Sequence, residues 1–271
     1  MKKNNNSYKA WNQYITSKEI QTGEVPYGRM AFLMYEFIDG LYKKLISENK
    51  TYALFMSREG EFFKELFDIY QEKLIPSKRR ISSHYFYISR RASLLPSIKT
   101  IQKSSFKEIY KNYNVMSINN FLKNLQLADH TNLINDLSND FDLDRNISNF
   151  SDSSDYHKLM QNEKFINACL SRASKQRDYL QTYLKSFNED FIKEGINLVD
   201  VGYSGTTQNN IYKMYDHKIQ VNGYYMFSYS EQIKGSKLTK NGILHDSMLT
   251  KSKNIYTYNS AVIEMICLAS H

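Results

Sequence analysis

Apolar residues along this chain change their spacing several times, and each change marks an element. From Pro26 onward, Met30, Leu33, Met34, Phe37, Ile38, Leu41 and Leu45 recur every three or four residues. This predicts a long amphipathic helix that Pro26 is placed to begin. A short apolar run from Thr51 to Met56 predicts a strand that ends in Ser57-Arg58-Glu59-Gly60, after which Phe62, Phe63, Leu66, Ile69, Tyr70 and Leu74 resume helical spacing. Residues 81–89 read as a β-rich run, followed directly by Arg90-Arg91-Ala92-Ser93. Between Ser104 and Glu194 only helical stripes recur, such as Phe106, Ile109 and Tyr110, and later Leu180, Tyr183 and Leu184. Ile196 to Asp200 and Val221 to Phe227 complete the strand candidates.

Strands that alternate with helices predict an α/β fold with a mainly parallel, Rossmann-like sheet, carrying a large helical insertion at about 104–194. Residues 1–25 are polar and read as an N-terminal arm, and 26–271 as one domain. The segment from Asn259 to His271 has helical spacing and stops abruptly in ICLASH, as expected of a piece of a longer chain.

The densest chemical signal follows Ile196. Asp200 stands where a parallel strand delivers a side chain to the carboxyl edge of a sheet, the edge at which open α/β folds bind ligands. Gly202 and Gly205 then permit a tight turn, Ser204, Thr206 and Thr207 supply hydroxyls, and Thr207, Ile211 and Met214 mark the inner stripe of a helix. A helix start with free N–H groups is an anion site. If the three strand ends share an edge, Arg58, Arg90 and Arg91 are candidate phosphate clamps. Glu59 and Asp200 are then candidate carboxylates for Mg2+, which keeps few protein ligands when it rides on phosphates.

The formal net charge of +8 favours an anionic partner and does not by itself choose among a phosphorylated small molecule, nucleic acid and a membrane surface. Cys169 and Cys267 are far apart and have no companion at metal-ligand spacing, which argues against a disulfide framework or a zinc site. No apolar run reaches the ~20 residues of a membrane span. A cytoplasmic protein is expected, and basic clusters such as Lys78 to Arg80 allow it to meet the inner face of the cytoplasmic membrane.

Asp200 followed by Ser204-Gly205-Thr206-Thr207 resembles the loop by which type I phosphoribosyltransferases hold ribose hydroxyls and the 5-phosphate, and ALFMSREG resembles their diphosphate loop. That family usually has two adjacent acids where this chain has Val199-Asp200. The combination FMSREGEFFKELF, YFYISRRASLLPS and VDVGYSGTTQNNI resembles more closely the divergent phosphoribosyltransferase domain of bacterial polysaccharide ribofuranosyltransferases, and NSAVIEMICLASH is similar to a family segment that brings a glutamate, here Glu264, near the site. Glu59 replaces the more usual Asp. The resemblance implies transfer of 5-phosphoribose from 5-phosphoribosyl 1-diphosphate, with Mg2+, to a hydroxyl of a lipid-linked glycan, giving a β-ribofuranoside for a capsule or O-antigen polysaccharide.

On this resemblance Asp200, Glu59 and Glu264 are the catalytic candidates. Arg58, Gly60, Arg90, Arg91, Tyr203, Ser204, Gly205, Thr206, Thr207 and Gln208 are expected to bind substrate. Many family members carry an attached haloacid-dehalogenase-like phosphatase domain. Asp142-Leu143-Asp144 follows a polar stretch rather than a buried strand, so a separate 5-phosphate phosphatase is expected. Three rivals stay open: a nucleobase phosphoribosyltransferase, a haloacid-dehalogenase-like hydrolase, and a non-catalytic phosphoribosyl-binding regulator. Nucleic acid is not an expected partner, since no helix-turn-helix segment or aromatic RNA-binding signature is recognisable.

Overall fold

The computed structural model describes residues 4–22, 28–110, 113, 115–202, 204–228 and 235–246. Helices α1 (Asn4–Thr22) and α2 (Gly28–Ser47) precede β1 (Tyr52–Met56), α3 (Gly60–Leu74), β2 (Ser82–Phe86) and α4 (Arg90–Ser97). A mostly helical stretch follows, with α5 (Lys107–Tyr110), β3 (Val115–Met116), α6 (Ile118–Asn124), α7 (Thr131–Ser138), β4 (Ile147–Ser148), α8 (Ser154–Leu159), α9 (Glu163–Phe187) and α10 (Phe191–Glu194). The sheet resumes with β5 (Ile196–Asp200), α11 (Thr206–Met214), β6 (Val221–Ser228) and β7 (Leu238–Asp246).

Five strands form one sheet in the order β2-β1-β5-β6-β7, and each neighbouring pair is parallel. The chain leaves β1 for β2 on one side and leaves β5 for β6 on the other, so the winding reverses between β1 and β5. One face is covered by α2 and α3, whose Phe37, Phe63 and Phe67 pack with Ala53, Phe55, Val199 and Tyr224. The other is covered by α11 and the end of α9, where Ile211, Met214, Leu180 and Leu184 pack with Leu54, Met56, Leu198 and Tyr225. Burial on both faces explains why β1 and β6 are buried at every position. The buried Asn197 of β5 is tolerated because its amide donates to the Tyr52 carbonyl at 3.1 Å and its oxygen accepts from Asn222 at 2.8 Å.

The helical insertion has its own core. Phe106, Phe121, Phe150, Tyr156 and Phe165 are buried together, with Phe106 edge-on to Phe121 at 5.3 Å between ring centroids. Leu94 and Leu95 of α4 belong to this cluster, so α4 joins the insertion to the sheet. Arg177 of α9 fastens the junction by donating to the carbonyls of Pro96 at 2.8 Å and Ile98 at 2.6 Å. Cys169 is buried in this core, where desolvation pushes its thiol up to about 12.

Three features differ from the sequence reading. Residues 4–22, read as a polar arm, form α1, a helix whose composition conceals it because Ile15 is its one fully buried apolar side chain among those described. The insertion contains the short antiparallel pair β3 and β4. Strand β7 was not foreseen, because LTKNGILHD mixes polar and apolar residues as an edge strand does.

Phe121→Ala should destabilise the protein by about 3–5 kcal/mol, since it opens a cavity among four aromatic neighbours. Urea unfolding measures this, and a loss below about 1 kcal/mol would show that the insertion core is not tightly packed.

Candidate functional site

Strand register brings the three sequence motifs to one edge. Met56 pairs with Phe86, and the β1–β5 register of Phe55 with Val199 sets Met56 level with Asp200. The segments after β2, β1 and β5 therefore leave adjacent strands, about 4.8 Å apart, at their carboxyl ends. The crevice between β1 and β5 is the topological switch point of the sheet, where open α/β folds take ligands.

After β1, the Ser57 N–H donates to the Phe86 carbonyl at 3.1 Å, and its hydroxyl donates to the Ile88 carbonyl at 2.6 Å while accepting from the Ile88 N–H at 3.1 Å. Ser57 thus ties this loop to the segment that leads to Arg90. The Ser57–Arg58 peptide is cis. Glu59 accepts from the Arg58 N–H at 3.1 Å, and Arg58 is exposed. Gly60 is required by contact: a Cβ there would lie 2.6 Å from the Phe55 carbonyl carbon, so only glycine lets α3 start this close to β1.

After β5, Asp200 is half-buried and accepts from the Val201 N–H at 2.8 Å. Beside it, the phenol of Tyr225 is fully buried. Burial first, and then the Asp200 charge, hold its pKa well above the ordinary value. Gly205 begins α11 with φ +69, and a Cβ there would meet the Tyr225 hydroxyl at 2.7 Å. The hydroxyls of Ser204 and Thr206 lie 3.3 Å apart in front of the helix.

The helix starts divide by how they are capped. Side chains cap α4, α6, α7, α8 and α9, through Ser89, Ser117, His130, Ser153 and Asn162. No side chain caps the short α10, nor α3 and α11, the two helices that open beside the switch point. At α3 the Glu61 N–H turns back to the Arg58 carbonyl at 3.2 Å, and the positive ends of both helices favour an anion at this edge. Helices α4 and α11 are held side by side by the buried Asn210 amide, which donates to the Ser93 hydroxyl at 3.0 Å, each residue lying one turn inside its helix.

Not every expected residue faces the crevice. Arg91, although exposed, is engaged by the insertion, where its guanidinium caps the end of α6 by donating to the Lys123 and Asn124 carbonyls at 2.5 and 3.3 Å, and Arg90 is exposed as well. Gln208 is fully buried, with its amide donating to the Val221 and Thr239 carbonyls at 3.0 and 2.7 Å and its oxygen accepting from Tyr225 at 2.9 Å. Its role is to hold α11 on the sheet. Thr207 also turns inward. Tyr203 and Glu264 lie outside the described residues. Asp144 accepts from Asn119 at 2.8 Å within the insertion.

Among the described residues no group of three or more His, Cys, Asp or Glu is gathered to hold a metal. Asp200 and Glu59 are the carboxylates that the end of β5 and the loop after β1 bring to this edge. No helix of the described residues is long and apolar enough to cross a membrane.

Sequence reasoning missed Lys240. Its side chain runs in from β7, is 7% exposed, and donates to the Ser204 carbonyl at 2.7 Å, with its Cε 3.1 Å from where a Gly205 Cβ would stand. A buried cation thus underlies the loop in front of α11. No local signal could have revealed it, because the pairing joins residues distant in sequence.

Lys240→Met should free this loop, so that amide exchange at residues 204–208 accelerates about tenfold or more, since a hydrogen bond from a charged group contributes about 1.5–3 kcal/mol. Unchanged exchange would remove Lys240 from the loop's support. Desolvation lowers the Lys240 pKa from 10.5, so its burial penalty is complete while the ammonium is charged and is relieved as pH rises through the native pKa towards 10.5. Wild type should therefore gain stability relative to Lys240→Met over that alkaline window, as read by urea unfolding at several pH values. No family model matches the chain and no curated protein is significantly similar to it, which leaves the geometry of this edge as the ground for a functional reading.

Proposed function

We propose that the β1–β5 crevice is a phosphoribosyl-donor site and that the protein transfers 5-phosphoribose from 5-phosphoribosyl 1-diphosphate to a glycan hydroxyl. One observation carries this reading. The two helices bordering the switch point lack side-chain caps, and the loops before them set Arg58 and Glu59 opposite Asp200 and residues 204–206. A ligand with a phosphate group at each end matches two such helix starts on neighbouring strands, and the ribose between them would lie over Asp200.

In this reading the N–H groups at the start of α11, with the Ser204 and Thr206 hydroxyls, hold the 5-phosphate. Arg58 and the start of α3 face the diphosphate, where a planar guanidinium can grip two oxygens at once. Exposed Arg90 adds charge to the same side. Mg2+ bound with the donor supplies neutralisation of the diphosphate charge, and Asp200 and Glu59 are the carboxylates that would hold it. The acceptor oxygen forms a bond to the anomeric carbon as the bond to diphosphate breaks, with inversion to a β-ribofuranoside. The bonding pair leaves with diphosphate, and the acceptor proton goes to a carboxylate that is not holding the metal, Glu264 or a metal-free Glu59. Asp200 holds the ribose hydroxyls and stabilises the positive charge that develops on the ring.

The product keeps its 5-phosphate, which a separate phosphatase would remove. The basic chain would work in the cytoplasm on a lipid-linked acceptor at the inner membrane face.

Diphosphate release from the donor, followed with glycan acceptors and with nucleobases, tests the reading. Release should require a glycan, and Asp200→Ala should lower it by about a hundred- to a thousandfold while the circular dichroism is unchanged. Asp142→Ala should match wild type. Release driven by nucleobases, or full activity in Asp200→Ala, would contradict the proposal.

A further inference from the structure

The ends of α4 and α11, together with the segment that follows α4, enclose a cleft of about 520 Å3. These helices are eight and nine residues long, so at about 1.5 Å per residue the cleft lies roughly 12 Å from their starts at the carboxyl edge. It is therefore separate from the β1–β5 crevice. Buried Leu94 and Ile98 line it, and so does Asn210, whose amide bridges to Ser93. Arg177 secures this segment through its bonds to the carbonyls of Pro96 and Ile98. A volume of this size suits a small-molecule ligand.

The wall of the cleft is held in place and positively charged. Lys99 pairs with Asp216, which joins the segment after α4 to the turn after α11. That turn holds Asp216 and His217 at φ 53 and 61, left-handed angles that cost non-glycine residues energy and persist where the surroundings impose them. Here the His217 N–H donates to the Tyr212 carbonyl at 3.0 Å, the Lys218 N–H donates to the Tyr215 carbonyl at 3.0 Å, and the Tyr212 ring meets His217 edge-on at 4.7 Å. His217 is thereby fixed on the wall. Asp216 compensates the charge of Lys99. Lys107 and Lys213 also line the cleft, and among the described residues neither is in an ion pair, while Glu108 is the one carboxylate on the wall. Lys218 and Arg177 add positive charge nearby, since after the Lys99 hydrogen bond they help to hold the Asp216 carboxyl below its ordinary range.

We propose that this cleft is a second ligand site, which binds a sugar phosphate: Lys107 and Lys213 take the phosphate, and the polar groups of Thr100, Gln102, Ser104 and Ser105 take the hydroxylated body. A phosphate monoester carries close to two negative charges at neutral pH, which the two uncompensated ammonium groups match. Lysine meets phosphate as a point charge on a flexible stem and needs no bidentate geometry. A nucleotide fits less well, because no Phe, Tyr or Trp among the described residues lines the cleft to stack a base. The site shares no residue with the crevice and does not depend on the transferase reading.

Titration of the isotope-labelled full chain with glucose 6-phosphate, followed through backbone amide shifts, tests the site, with glucose, inorganic phosphate and adenosine monophosphate as comparison probes. Saturable shifts should appear at Thr100, Ser104, Lys213 and His217. Replacing both exposed lysines, Lys107→Gln with Lys213→Gln, should weaken binding about tenfold or more and leave the circular dichroism unchanged. Lys73→Gln, which makes the same kind of charge change on exposed α3 at the other face of the sheet, should bind as wild type does. No shifts at these four residues, shifts confined to residues 58–60 and 204–208, or equal binding by the double variant would overturn the site. Glucose or inorganic phosphate binding as tightly as glucose 6-phosphate would overturn the assignment to a sugar phosphate, and tighter binding of adenosine monophosphate would overturn it in favour of a nucleotide.

Discussion

The parallel pairing of β1 with β5 is the constraint on which the rest of the site depends. These strands are far apart in sequence, and their register sets the ends of both runs level. Because the chain winds away from them in opposite directions, α3 and α11 lie on opposite faces and leave a crevice between their starts. Ser57 then couples this pair to the end of β2 through three hydrogen bonds, and Ser93 with Asn210 aligns α4 beside α11. A slip of one residue in the β1–β5 register would turn Asp200 to the other face and dismantle the arrangement.

Local stability is distributed unevenly around this crevice. Four helices of the insertion, α6, α7, α8 and α9, are closed at their starts by side chains, and Arg91 closes the end of α6. At the crevice α3 and α11 start without side-chain caps while the support beneath is reinforced, by Gln208 bridging two strands and by the Lys240 ammonium under the Ser204 carbonyl. Burying that ammonium costs stability, a cost consistent with a loop that must be held in place before an anion arrives.

Most of the framework was legible in the sequence. Residues 52–56 and 196–200 are short, mainly apolar runs, 82–86 lies in a β-rich run and 221–227 is a further strand candidate, and all four are strands. The three motifs at the carboxyl edge could be located for the same reason, since a strand end followed by a helix start is a local pattern. What escaped depends on tertiary contacts. The destinations of Arg91 and Gln208 were set by carbonyls elsewhere in the fold, and Lys240 lies on a strand whose mixed pattern hid it.

The most direct test of the donor site is a calorimetric titration of the wild-type protein with 5-phosphoribosyl 1-diphosphate, compared with ribose 5-phosphate and diphosphate, each with and without Mg2+. If the two uncapped helix starts hold the two ends of one donor, the whole donor will bind more tightly than either half, both halves will compete with it, and Mg2+ will strengthen only the ligands that contain diphosphate. An absence of donor binding, or halves that bind without competing, would contradict the account.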